Sequence, residues 1–323
     1  MASTRRSPES GKPHAILLSK RAEVLYLEHA RVMQKDGKVV YLTAKGDDLT
    51  GIFLNIPFRN TAFVMLGPGT SITDSAARLL AEAGVLVVFT GSGGSPLISA
   101  ADQVFLSPQS EYRPSEYMQA WARKWFDDGA RLDAAKQLLR LRAEYAERGW
   151  ASNRELGVRK IAIPEQLLVR FERGITEASD TTSLLAAEAE WVRGLYQVLA
   201  AGYKVSDFRR VAQVDSIATP ADSVNSKLTQ GNYIAYGYAA ATLYTLGISF
   251  AFPALHGKTR RGGLVFDLAD LVKDWTVLPM AFHHAHLGSD AQAYRKDLIA
   301  FMQRARVLDL LFESMQKVCG VRL

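Results

Sequence analysis

The chain has 323 residues, 48% hydrophobic and 22% charged, with a formal net charge of +6 and a pI of about 9.3; this excludes a disordered or fibrous chain, and the length points to two domains. No window approaches ~18 uninterrupted apolar residues, which excludes a spanning helix, and a single cysteine, Cys319, excludes an intrachain disulfide framework and fits a reducing, cytoplasmic compartment. The basic surplus permits a nucleic-acid partner through phosphate neutralisation without requiring one.

Residues 1–16 are polar, carry Arg5, Arg6 and Lys12, lack the apolar stretch of a signal peptide and read as a disordered tail. Residues 17–105 read as a β-rich N-terminal domain. An extended run starts at Glu23-Val24-Leu25-Tyr26-Leu27 and is separated from Lys38-Val39-Val40-Tyr41-Leu42 by Asp36-Gly37, a hairpin signal because the turn needs positive φ. Further strands are expected over 52–56 and 62–66. Ser71 and Thr73 are candidate caps for a helix through about Glu82, and Val85-Leu86-Val87-Val88-Phe89 reads as a buried strand. Gly91-Ser92-Gly93-Gly94-Ser95 lacks the Lys-Ser/Thr ending of a phosphate loop and reads as a turn.

Residues 106–323 read as a larger α-helical catalytic domain, giving an α+β chain overall. Pro108 and Pro114 flank 109–113, after which apolar spacing becomes helical. Trp121, Trp125 and Phe126 at that spacing read as core or interface. A long helix ends near Gly149, and others are expected over 164–178, 182–201, 232–246, 264–275 and 291–318. Arg209-Arg210 reads as a solvated helix face. In Phe282-His283-His284-Ala285-His286 two histidines can share a face, which is too few for a zinc site.

The densest chemical signal is Leu255-His256-Gly257-Lys258-Thr259-Arg260-Arg261-Gly262-Gly263-Leu264-Val265-Phe266-Asp267-Leu268-Ala269-Asp270. Asp267 and Asp270 stand three apart at a helix start, on one face. Two such carboxylates repel unless a cation, a proton or a cationic side chain lies between them. His256 is joined to them by a Gly-rich connection that lets the backbone fold back. Oxygen ligands with one nitrogen suit Mn²⁺, and Mg²⁺ with bound waters. Lys258, Arg260 and Arg261 crowd the same loop as candidate phosphate contacts. The bland reading of the aspartates is a dipole-favoured acidic helix start. A further ligand is sought on the helix around Glu188 and Glu190, which point to different sides. Glu188, beside Ala187 and Ala189, reads as semi-buried, and Glu190 as solvated.

The segment from His256 to Asp270 resembles the CRISPR-associated adaptation integrase, in its type I-F branch. Gln109-Ser110-Glu111-Tyr112-Arg113-Pro114, Gly231-Asn232-Tyr233-Ile234-Ala235-Tyr236-Gly237 and Ser19-Lys20-Arg21-Ala22 are similar to the same branch, so the resemblance runs from about residue 17 to 318. It implies a β-rich N-terminal domain, an α-helical domain holding Mg²⁺ or Mn²⁺, and ligands falling on Glu188, His256, Asp267 and Asp270. Lys273 stands where many members carry an acidic residue. The resemblance also implies a homodimer acting on double-stranded DNA, the protospacer fragment and the CRISPR repeat. The partner it implies is a second adaptation protein, in this branch fused to a helicase-nuclease. The expected chemistry is attack of a 3′-OH on a phosphodiester, with endonucleolytic cleavage when water replaces the 3′-OH. The competing readings are a small-molecule metal-dependent phosphohydrolase, which needs a closed pocket, and a non-catalytic DNA-binding scaffold.

Overall fold

The computed structural model describes residue 21 and residues 23–43, 54–90, 96–97, 115–211, 214, 216–257 and 262–321. The 1–16 tail, the 91–95 turn, the 105/106 boundary, the 109–113 segment and Lys258, Arg260 and Arg261 lie outside these residues.

Among the described residues the N-terminal part forms two four-stranded sheets and one helix. Its elements are β1 (Glu23–Leu27), β2 (Ala30–Lys35), β3 (Lys38–Thr43), β4 (Leu54–Ile56), β5 (Thr61–Leu66), β6 (Ser71–Ile72), α1 (Asp74–Glu82), β7 (Leu86–Thr90) and β8 (Pro96–Leu97). One sheet runs β1-β5-β7-β8 and the other β4-β3-β2-β6. Asp36 (φ 51°) and Gly37 (φ 70°) do form the tight turn, but it joins β2 to β3, with Lys35 opposite Lys38. The run from Glu23 breaks at His29, a non-glycine residue at φ 47° whose N–H donates to the Pro68 carbonyl at 2.9 Å. β1 therefore leaves for the other sheet, where it pairs parallel with β5. Ser71 lies in β6, against Arg31, and Thr73 alone caps α1, accepting from the Ala76 N–H.

β5 is buried along its whole length, and its pleat divides two cores. Val64 and Leu66 face α1 and the second sheet, with Val32, Val39, Ile56 and Leu80. Phe63 and Met65 face the helices, in the core that also holds Val24, Leu86 and Val88.

The helical part comprises α2 (Glu116–Phe126), α3 (Asp128–Ser152), α4 (Arg154–Val158), α5 (Glu165–Glu177), α6 (Thr181–Tyr203), α7 (Pro220–Thr245), α8 (Gly263–Lys273), α9 (Val277–His286), α10 (Ala291–Arg304) and α11 (Val307–Cys319). The helix expected over 232–246 starts earlier, because Thr219 and Asp222 form a reciprocal capping box with Pro220 in the first turn. The helix expected over 291–318 divides at Arg306, which sits at φ 54°. Helix α7 is the hub, packed by α8, α9, α10 and α11, and its Tyr238 meets Phe63 of β5 edge-on at 5.1 Å. Among the described residues no helix is long and apolar enough to cross a membrane.

Candidate metal centre

The site forms where α3, α6, α8 and the segment 252–256 converge. Helix α6 opens with a capping box, Asp180 accepting from the Ser183 N–H at 2.8 Å, and carries Glu188 about two turns in. Its side chain is largely buried toward α3 and α8, whereas Glu190 lies outside, ion-paired with exposed Arg170 at 3.3 Å. The different sides expected for these two glutamates are the sides they take.

The segment carrying His256 is held through almost every polar backbone group. Trp121 Nε1–H donates to the Phe252 carbonyl and Trp125 Nε1–H to that of Pro253, each at 3.0 Å. The N–H groups of Ala254 and Leu255 donate to Asp267 Oδ2 at 2.6 and 3.1 Å. The His256 N–H donates to Asp267 Oδ1 at 3.1 Å, and His256 Nδ1 lies 2.7 Å from the same oxygen. An ionised Asp267 only accepts, so Nδ1 carries the proton and Nε2 keeps its lone pair for a ligand. A side chain at Gly263, where α8 starts, would lie 2.7 Å from Pro253 Cβ and 2.8 Å from the His256 carbonyl oxygen. Glycine there lets the helix start and the loop touch.

Glu188, His256 and Asp270 each present one ligand atom, and those atoms lie within 4.8 Å of one another. Asp267 does not join that group: its two oxygens are committed to three backbone N–H groups and the imidazole. The two aspartates share a helix face as their spacing predicts, but they divide the work, Asp270 toward Glu188 and Asp267 behind His256. Among the described residues no other group of three such side chains meets in this way. His283 and His286 instead pack against the Tyr203 ring, and His284 is buried near Asp297.

Sequence reasoning passed over Arg142 and gave no role to Lys273 or Asp274. Arg142 of α3 is 2% exposed. Its Nη1 donates to Glu188 Oε1 at 2.5 Å and lies 3.5 Å from Asp270 Oδ2. Its Nε and Nη2 grip both oxygens of Asp274 at 2.6 and 3.0 Å. Asp274, 1% exposed, also accepts from Trp191 Nε1–H at 2.8 Å, and its carbonyl accepts from Trp150 Nε1–H at 2.7 Å. Lys273 ion-pairs with Asp270. The signal was present: Arg142 falls on the apolar stripe of Leu138, Leu139 and Ala146, and Asp274 continues the 267/270 face one turn on.

Counted as formal charges, the residues are compatible with a divalent ion. Glu188, Asp267, Asp270 and Asp274 stand against Arg142 and Lys273, which leaves two negative charges uncompensated in a buried cluster when His256 is neutral. Buried uncompensated charge is costly, and a divalent cation removes it. Burial pushes the Glu188 carboxyl above its usual range, against the pull of Arg142. At Asp270 burial pushes the same way, but Lys273, Arg142 and His256 outweigh it and hold the carboxyl down to about 2. Burial would lower the His256 value, yet the Asp267 hydrogen bond and the charges of Asp270, Asp267 and Glu188 raise it above that of an ordinary histidine.

A family model described as CRISPR associated protein Cas1 matches residues 25–291, from β1 to the first residue of α10. The chain belongs to the Cas1 family. Two Cas1 relatives, each named CRISPR-associated endonuclease Cas1, support the assignment over nearly full length. That of Pectobacterium atrosepticum is 41% identical, over 94% of this chain and 94% of its own. That of Pseudomonas aeruginosa is 42% identical over the same shares. Among solved structures, the crystal structure of a TtCas1–DNA complex matches with a TM-score of 0.67 and 25% identity, covering 92% of this chain and 91% of the other. The Cas1 match thus spans both sheets, α6, the 252–256 segment and α8.

Proposed function

We propose that this chain is a divalent-metal-dependent DNA endonuclease and integrase that inserts new spacers into a CRISPR array. The observation that carries this reading is the convergence of Glu188, His256 and Asp270 from three separate elements in a cluster with two surplus negative charges. In this reading those three side chains hold Mg²⁺ or Mn²⁺, since two carboxylates and one imidazole suit either ion. A divalent ion bound there supplies Lewis acidity, polarising the phosphate and lowering the pKa of the attacking hydroxyl. Asp267 fixes the tautomer and aim of His256. Lys258, Arg260 and Arg261, just beyond His256, hold the flanking phosphates of the substrate strand. Phosphoryl transfer asks the protein chiefly for such positioning and charge neutralisation.

The substrate in this reading is double-stranded DNA, a short protospacer fragment whose 3′-OH attacks a phosphodiester of the repeat. Water in place of the 3′-OH gives endonucleolytic cleavage. The DNA held by TtCas1 in its complex and the endonuclease names of the relatives support this choice. We extend the reading to a homodimer working with a second adaptation protein, in the type I-F branch fused to a helicase-nuclease. A small-molecule phosphohydrolase is the weaker reading, because the DNA held by TtCas1 and the endonuclease names of the relatives favour a polynucleotide substrate.

The test is strand transfer of a labelled short duplex into a supercoiled plasmid carrying a repeat, with the second adaptation protein present. Joined product in Mn²⁺ that disappears with EDTA, with His256→Ala and with Asp270→Ala is the expected result. Intact duplex binding without joining or cleavage under any metal would favour a non-catalytic scaffold.

A further inference from the structure

The two cations of the site differ in how they are held. Lys273 is a point charge against one carboxylate, its ammonium also lying 5.2 Å from the Tyr236 ring centroid. Arg142 is a planar fork with two of its three nitrogens already taken, along one edge. Its Nε and Nη2 are fixed on both oxygens of Asp274 at 2.6 and 3.0 Å. That carboxylate is fixed in turn by the Trp191 indole at 2.8 Å, and the backbone of the same residue by the Trp150 indole at 2.7 Å. Such a bidentate grip leaves the guanidinium no rotational freedom. The remaining nitrogen, Nη1, is therefore aimed, at 2.5 Å from Glu188 and 3.5 Å from Asp270.

We propose that Arg142 is the positioning residue of the metal centre, a built-in cation that the Asp274–Trp191 brace holds in place so that it orients Glu188 and Asp270 toward a shared ligand. The proposal rests on the reading of Glu188, His256 and Asp270 as metal ligands. Its logic is preorganisation. Two carboxylates from different helices repel each other and, left alone, swing apart before an ion arrives. A fixed cation between them on the protein side keeps both in place while their outer oxygens stay available. Charge alone does not give this result. A lysine at the same position carries the same charge but has no fork with which to grip Asp274, so its ammonium would wander among three carboxylates.

The test is the Mn²⁺ dissociation constant of the purified full chain, measured by calorimetry without DNA, beside a thermal melt of each variant. The variants are Arg142→Lys, which keeps the charge and loses the fork, and Trp191→Phe, which keeps the ring on Phe171 and removes the donor to Asp274. Arg140→Lys, on the exposed side of the same helix, is the control. Orienting partners behind metal ligands typically change affinity by ~10–100-fold, so Arg142→Lys is expected to weaken Mn²⁺ binding at least about tenfold and Trp191→Phe several-fold, with Arg140→Lys at wild type. A purely structural Arg142 would lower the melting temperature and leave the Mn²⁺ constant of the folded protein unmoved. Arg142→Lys binding Mn²⁺ within about twofold of wild type would therefore overturn the proposal. Should Arg142→Lys not fold, Trp191→Phe decides by the same criterion. A wild-type chain that binds no Mn²⁺ is a different failure, that of the metal reading itself.

Discussion

At the scale of single residues, Asp267 and Asp270 illustrate what spacing can and cannot determine. Their separation predicts a shared face, and the face is shared, but only the path of 252–256 decides that Asp267 is consumed by three backbone N–H groups and His256 Nδ1. Asp267→Asn places an amide N–H where one of these donors now points, or turns the imidazole to the wrong tautomer. Mn²⁺ affinity is expected to fall by ~10–100-fold while Glu188 and Asp270 remain in place, as a calorimetric titration would register. Unchanged affinity would show that Asp267 does not orient the ring. The same histidine sets a pH dependence. Its folded value is raised above 6.5, so its protonation stabilises the metal-free protein fully below 6.5, and that stabilisation is lost as pH rises through the raised value. Metal binding needs the neutral ring, so the rise in melting temperature produced by Mn²⁺ should be small at about pH 6 and grow toward about pH 8. A metal-induced increment that stays flat across that window would remove His256 from the ligand set.

At the scale of elements, periodicity found most helices and most strands, and its failures have local causes. Glu23 to Lys35 looks like one extended run until His29 takes a left-handed conformation that no alternation pattern signals. Helix α7 was expected late because Asn225, Lys227 and Gly231 dilute its apolar pattern, yet all three are buried in tertiary contacts. Arg142 was passed over for the converse reason: an arginine on an apolar stripe reads as an interruption until its carboxylate partners, more than 40 residues away, are known. The contact between α8 and the His256 loop can be tested directly. Gly263→Ala puts a methyl group 2.7 Å from Pro253 Cβ and 2.8 Å from a backbone oxygen, neither of which is the end of a flexible side chain. Overpacking of this kind typically destabilises by ~1–3 kcal/mol, and here the displaced segment carries His256. Urea titration should show that loss, accompanied by weaker Mn²⁺ binding. Loss of stability with wild-type affinity would mean that the loop accommodates the methyl group without moving the imidazole.

At the scale of the whole molecule, the sheets and the helices share a core. Phe63 and Met65 of β5 belong to the same buried cluster as Tyr238, Leu243 and Leu268. Arg295 of α10 pairs with Glu28 at 2.6 Å across the junction, and Gln303 donates to the Val24 carbonyl at 2.9 Å. A seam built this way should couple the two parts in unfolding, although a change from β-rich to helical sequence character suggests independent units. The tryptophans give a clean readout, because all five, Trp121, Trp125, Trp150, Trp191 and Trp275, lie in the helical part. Phe63→Ala deletes a fully buried ring in the sheet and its edge-on contact with Tyr238, a change worth ~3–5 kcal/mol. If unfolding is cooperative, tryptophan fluorescence should report the full shift in urea midpoint even though the substitution lies in a strand that carries no tryptophan. If the parts unfold separately, far-UV circular dichroism will show an early loss of the sheets while the fluorescence midpoint stays at its wild-type value. The first outcome would mean that a metal ion bound among α3, α6 and α8 stabilises the β-rich part as well, since anything that binds only the native state raises the stability of every element that unfolds with it.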